Sequence, residues 1–166
     1  MPLLSGLKGE MLIFDTLNSS ATKSLSNSAT NRMRKIEHIG IAVKSLETSN
    51  VLFEKLFGNP PYKEEEVASE GVKTSFFMNG PNKIELLEAT NPESPIAKFL
   101  EKKGEGIHHI AFAVEDIEAE VERLKAEGFV PISDKPKKGA DNKMVFFFHP
   151  KSTGGVLVEL CQEIKE

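Results

Sequence analysis

The segments EHIGIAV (residues 37–43) and HHIAFAV (residues 108–114) are near copies, set 71 positions apart in a chain of 166 residues. Apolar and β-branched residues dominate both, so each reads as a strand. The residues that follow repeat as well. After the first copy, Leu46, Phe53, Leu56 and Phe57 fall on one face of a helix that Gly58 ends. VKTSFFM (72–78) and KIELLEA (83–89) then flank the turn cluster NGPN as a hairpin. After the second copy, Asp116 caps a helix carrying Ile117, Val121 and Leu124, and Gly128 closes it. KMVFFFH (143–149) and GVLVELC (155–161) form a second hairpin through PKSTG. One further short strand per half is expected near 60–66 and near 129–134. Between the halves, Ser94 and Pro95 open a linker helix that Gly104 closes. The boundaries predicted are module one at 34–90, the linker at 91–105 and module two at 106–163.

The repeat singles out particular side chains. His38 matches His109, whereas His108 matches Glu37 and falls outside the repeated feature. By strand alternation, His38 shares its face with Gly40 and Ala42, and His109 shares its face with Ala111 and Ala113. The opposite faces carry Ile39, Ile41 and Val43, and Ile110, Phe112 and Val114. Bulky residues suit packing against the helices; small residues leave a hollow beside each histidine. The last strands repeat a second feature, Glu85 in KIELLEA and Glu159 in VLVELCQ. A carboxylate inside an apolar strand is costly unless it is paired or holds a metal. One strand histidine, or one strand glutamate, is an ordinary core or edge residue. The same pair recurring in register in two halves is a plausible nitrogen and oxygen site for a divalent metal, made of His38, Glu85, His109 and Glu159. His108 and His149 read as core or loop residues, and Cys161 as a small apolar one.

Composition removes other classes. A net charge of −4 without a basic stripe gives no reason to expect nucleic acid. One cysteine forms no internal disulfide, and no apolar run approaches the roughly 20 residues of a membrane span. Residues 18–31, NSSATKSLSNSATN, bury too little to repay their ordering entropy, so residues 1–32 are expected to be a tail or upstream extension. A Ser-rich mitochondrial presequence is the alternative, against which Glu10, Asp15 and a single arginine count. The expected location is the cytoplasm, or the mitochondrial matrix if residues 1–32 are a presequence.

The paired strands, with a glutamate closing each half, resemble the vicinal oxygen chelate (glyoxalase) superfamily. More narrowly, ELLEATNPESPIAKFLEKKGEGIHHIAFAVEDIEAEVERLKAEGF and KKGADNKMVFFFHPKSTGGVLVELCQ resemble the methylmalonyl-CoA epimerase family. The resemblance spans residues 34–163 and includes the linker, which lies outside the metal pattern. It implies an α+β fold whose two βαβββ modules build a cup-shaped mixed sheet around a metal. It implies ligation by His38, His109 and Glu159, with a fourth ligand at Glu85, where some members carry glutamine. It implies a catalytic glutamate ahead of a Gly-Val pair. Glu70 fills that place here; in some members the acid stands one residue earlier, at the position of Ser69.

The activity so implied is epimerisation of an acyl-CoA substrate, methylmalonyl-CoA, by 1,1-proton transfer through a metal-stabilised enolate. Glu70 would serve one face and Glu159 the other. A divalent ion is the expected cofactor, Co2+ ahead of Zn2+, Mn2+, Ni2+ or Mg2+, and a homodimer is the expected assembly. Lys135, Lys137 and Lys138 are candidates for the CoA phosphates, unless they belong to a solvated loop. The alternatives are a glyoxalase I-like lactoylglutathione lyase, an iron-dependent ring-cleaving oxygenase and a non-catalytic small-molecule-sequestering protein of the same fold. The sequestering protein needs no metal, and a fourth protein ligand at Glu85 would crowd the oxygenase.

Overall fold

In the computed structural model, which describes residues 33–165, the two repeats form the two halves of one sheet. The expected N-terminal extension, residues 1–32, lies outside the described residues. The first half contains β1 (Met33–Ala42), α1 (Leu46–Phe57), β2 (Lys63–Val67), β3 (Val72–Asn79) and β4 (Asn82–Ala89). Helix α2 (Pro95–Lys103) leads to β5 (Gly106–Val114), α3 (Ile117–Ala126), β6 (Lys137–Lys138), β7 (Lys143–Phe148) and β8 (Leu157–Glu163). The strand order is β2-β3-β4-β1-β5-β8-β7-β6, so each half runs outward from the central β1–β5 seam in the same order. β1 is parallel to β4 and β5 to β8; the other neighbours are antiparallel. The result is the mixed α+β sheet of two βαβββ units that the repeat predicts.

Local chemistry sets the helix limits. Ser45, Ser94 and Asp116 each accept a backbone N–H in the first turn of their helices. A matching device returns from the last strand of each half. Glu88 accepts the N–H of Leu46, and Gln162 accepts that of Ile117, so the free donors at α1 and α3 are met by their own module. Gly58 closes α1 with φ of 76°.

Alternation then sorts the faces. Ile84 and Leu86 of β4 and Phe77 of β3 meet Leu46, Phe53 and Phe57 of α1. Phe146, Phe148 and Leu160 meet Val121 and Leu124 of α3. The opposite sheet face lines a cavity, and α2 closes one end of it with Pro95 and Ile96. Of the helix-facing residues expected from the repeat, Ile41 and Val43 join the α1 core and Phe112 and Val114 the α3 core, whereas Ile39 and Ile110 are only partly buried.

One expected strand is missing from its place. Residues 129–134 contribute only a lone bridge, Pro131 to Phe148, and pairing resumes at Lys137–Lys138. Pro131 and Pro136 lack the N–H a ladder needs, and PISDKP offers no alternation to bury. Its counterpart in the first half, β2, is a full five-residue strand.

Candidate active site

Sheet register, rather than any local motif, assembles the site. Across one row, Glu85 of β4 lies beside Gly40 of β1, which lies beside His109 of β5. Across the next row, His38 of β1 lies beside Ala111 of β5, which lies beside Glu159 of β8. Each histidine therefore faces a small residue of the other half. The hollow is tight at Gly40: a Cβ there would stand 2.2 Å from Cε1 of His109.

The four residues expected as ligands come together. Nε2 of His38 lies 2.9 Å from Nε2 of His109. Oε2 of Glu85 is 3.2 Å and 3.5 Å from the two nitrogens, and Oε2 of Glu159 is 3.5 Å and 3.0 Å from them. Spacings of this size match the edge of a coordination shell with bonds of about 2.1 Å. His38 and Glu159 are 6 % and 4 % exposed. With both imidazoles neutral, as ligation requires, the two buried carboxylates need a positive charge between them, and a donor set of two nitrogens and two oxygens suits a divalent cation. The residues present fit the expected ion.

Without an ion the same four groups compensate one another as ion pairs, protons on the imidazoles standing in for the cation. Burial alone would lower the pKa of His38, but Glu85 and Glu159 outweigh it and raise the pKa well above 6.5. Burial likewise opposes ionisation of Glu159, yet His109 and His38 hold its carboxyl far below the usual range. Glu85 is lowered in the same manner, against its burial, chiefly by His38.

Several neighbours escaped the sequence reading. Glu37 is buried and places Oε2 2.5 Å from Nδ1 of His38. Lys83 binds the other oxygen of Glu37 and lies 2.6 Å from Asp141 of the second half. Asp141 also accepts hydrogen bonds from Tyr62 and Lys63, so a loop of one module is clamped to strands of the other. Cys161 is more than a small apolar residue. Its thiol donates to Oε1 of Glu159 at 3.2 Å, and burial with the Glu159 charge pushes its pKa well up, so the proton stays on sulfur. His108 is also in the cavity wall, its Nδ1 3.0 Å from Nδ1 of His109. Burial, then the charge of His109, lowers its pKa to about 4 and keeps it neutral. The one available signal for Glu37 and His108 was adjacency to the repeated histidines.

Glu70 lines the same cavity of about 230 Å³ from its rim, at the end of a short 3-10 turn (Ala68–Glu70). Gly71 follows at φ of 62°, a left-handed conformation that favours glycine, and the Asn91 amide packs into the space a Cβ would take there. Ser69 is exposed and does not line the cavity. Lys137 is engaged by Glu70 at 2.5 Å, while Lys138 lines the cavity and Lys135 does not. His149 is a loop residue, capping the turn at Pro150–Ser152. The apolar wall includes Val72, Phe76, Leu87, Val145, Phe147 and Leu157.

The chain falls in a known class: residues 37–148 match the model of the Glyoxalase/Bleomycin resistance protein/Dioxygenase superfamily. Within that class the ethylmalonyl-CoA/methylmalonyl-CoA epimerase of Cereibacter sphaeroides is 44 % identical over 131 residues, covering 77 % of this chain and 97 % of the relative. Human mitochondrial methylmalonyl-CoA epimerase is 36 % identical over 151 residues, covering 89 % and 86 %. The crystal structure of methylmalonyl-CoA epimerase from Mycobacterium tuberculosis superposes with a TM-score of 0.78 at 31 % identity, over 82 % of this chain and 93 % of that one. The chain belongs to this superfamily and, within it, to the methylmalonyl-CoA epimerase family.

Proposed function

We propose that this chain epimerises methylmalonyl-CoA, using a divalent cation held by His38, Glu85, His109 and Glu159. The observation that carries the reading is the convergence of two imidazoles and two carboxylates, one of each per half, with each carboxylate within 3.5 Å of both imidazoles, on the wall of a cavity that a further carboxylate, Glu70, overlooks. The names of the relatives agree with it.

The reaction removes the proton between a thioester carbonyl and a carboxylate, then restores it on the other face. Negative charge gathers on the thioester oxygen in the transition state, and a bound divalent cation supplies Lewis acidity there. The protein must provide a proton carrier on each side of the reacting carbon. Glu70 is assigned to one side, because it is outside the histidine–carboxylate cluster and Gly71 fixes its approach. Glu159 is assigned to the other: Oε2 faces the imidazoles, and Oε1 is engaged by the Cys161 thiol. Phe76, Leu87, Val145 and Phe147 exclude water around the carbon. Lys138 and the neighbouring Lys135 are assigned to the CoA phosphates, Lys137 being engaged by Glu70.

Proton NMR of solvent deuterium entering methylmalonyl-CoA, with Co2+ added, tests the proposal. Wild-type protein is expected to exchange the proton, and Glu70→Gln to slow exchange about 10²–10⁴-fold with metal content unchanged. Absence of exchange in the wild type overturns the activity. Metal loss in Glu70→Gln reassigns that residue to the ion.

A further inference from the structure

We propose that Glu37 and His108, the residues immediately ahead of the two cavity histidines, are positioning residues that accept the Nδ1 protons of His38 and His109 and hold each Nε2 lone pair toward the cation; the inference rests on the metal reading above. In a regular strand these residues would point to the helix side. Paired β-bulges turn them inward. Ile36 lies opposite Phe112 and His38 opposite Ala111, so Glu37 is an extra residue on β1. Gly40 lies opposite His109 and Ile41 opposite Ile107, so His108 is an extra residue on β5. A bulge breaks the ladder and re-aims a side chain. Here two of them sit at equivalent points of the repeat.

An imidazole that offers Nε2 to a cation carries its remaining proton on Nδ1, and that N–H needs an acceptor. Oε2 of Glu37 is 2.5 Å from Nδ1 of His38, and Nδ1 of His108 is 3.0 Å from Nδ1 of His109. Both acceptors are themselves held. Lys83 binds Glu37, with Lys143 3.8 Å away, and Phe99 meets the His108 ring edge-on at 4.9 Å. The acceptors differ in kind. A carboxyl oxygen stands behind His38 and an imidazole nitrogen behind His109, so the two halves give nitrogens of unequal donor strength.

The test uses the full-length protein loaded with Co2+. Paramagnetically shifted proton NMR of the wild type is expected to show two solvent-exchangeable imidazole N–H signals. His108→Phe removes one acceptor: one signal is expected to be lost to solvent exchange, and Co2+ affinity by chelator competition to fall about 10–100-fold. His108→Asn returns an acceptor oxygen and is expected to keep the signal and most of the affinity. Glu37→Leu against Glu37→Gln gives the independent arm for His38. Both signals persisting in the Phe and Leu variants, or equal weakening in each pair of variants, overturns the inference alone. A wild-type protein that takes up no Co2+ overturns the metal centre and this inference together.

Discussion

Gly40 stands opposite His109 in the β1–β5 ladder, and the space a methyl group would need there is filled by the imidazole ring. Gly40→Ala is expected to keep the fold, because no positive φ is required at that position, while pushing His109 away from the cluster. Co2+ affinity should fall at least about tenfold with unchanged circular dichroism; unaltered affinity contradicts this placement of His109. The cluster also sets a pH dependence in protein stripped of divalent metal. His38 and His109 have pKa values raised above 6.5, so their stabilisation is complete below that value and fades as pH rises through the folded pKa. Glu85 and Glu159 are lowered from 4.5, so theirs is present above that value and fades as pH falls through the folded pKa. The stripped protein should therefore gain most from the cluster between 4.5 and 6.5, and its Tm should drop on going alkaline. A Tm that rises between about pH 6 and 8 contradicts the linkage. At this scale the sequence disclosed the four repeated residues through their register. It did not disclose Glu37 or His108, because strict alternation assigns them to the wrong face. A bulge depends on the partner strand, which no local pattern reports.

Elements were legible wherever capping or periodicity is local. Ser45, Ser94 and Asp116 mark the helix starts, and the NGPN turn marks the first hairpin. The failure at 129–134 has a local cause too: prolines deny the ladder its donors, so the strand shrinks to two residues at Lys137–Lys138. The short β6 still reaches the other half, as β2 does through Lys63 and Asp141: it holds Lys137 against Glu70. Element stability rests on the helix-side cores. Phe146, 1 % exposed between β7 and α3, is expected to cost about 3–5 kcal/mol when changed to alanine. Urea unfolding checks this, and a loss below about 1 kcal/mol would show that α3 contributes little to holding the sheet.

The whole molecule makes sense of the duplication. Each module supplies one histidine and one glutamate, and neither can close the cluster alone. The β1–β5 seam brings the pairs together, and Asp141 reaches back to Lys63, Lys83 and Tyr62 to fasten the halves. Among the described residues, no helix is long and apolar enough to cross a membrane. Titration of the metal-stripped protein with Co2+, followed by X-ray absorption at the cobalt edge, asks most directly whether both modules grip one ion. The account predicts uptake of a single ion per chain, with imidazole nitrogen in its shell, that His38→Ala and His109→Ala each weaken sharply. Failure to take up stoichiometric metal, or uptake indifferent to either substitution, would contradict it.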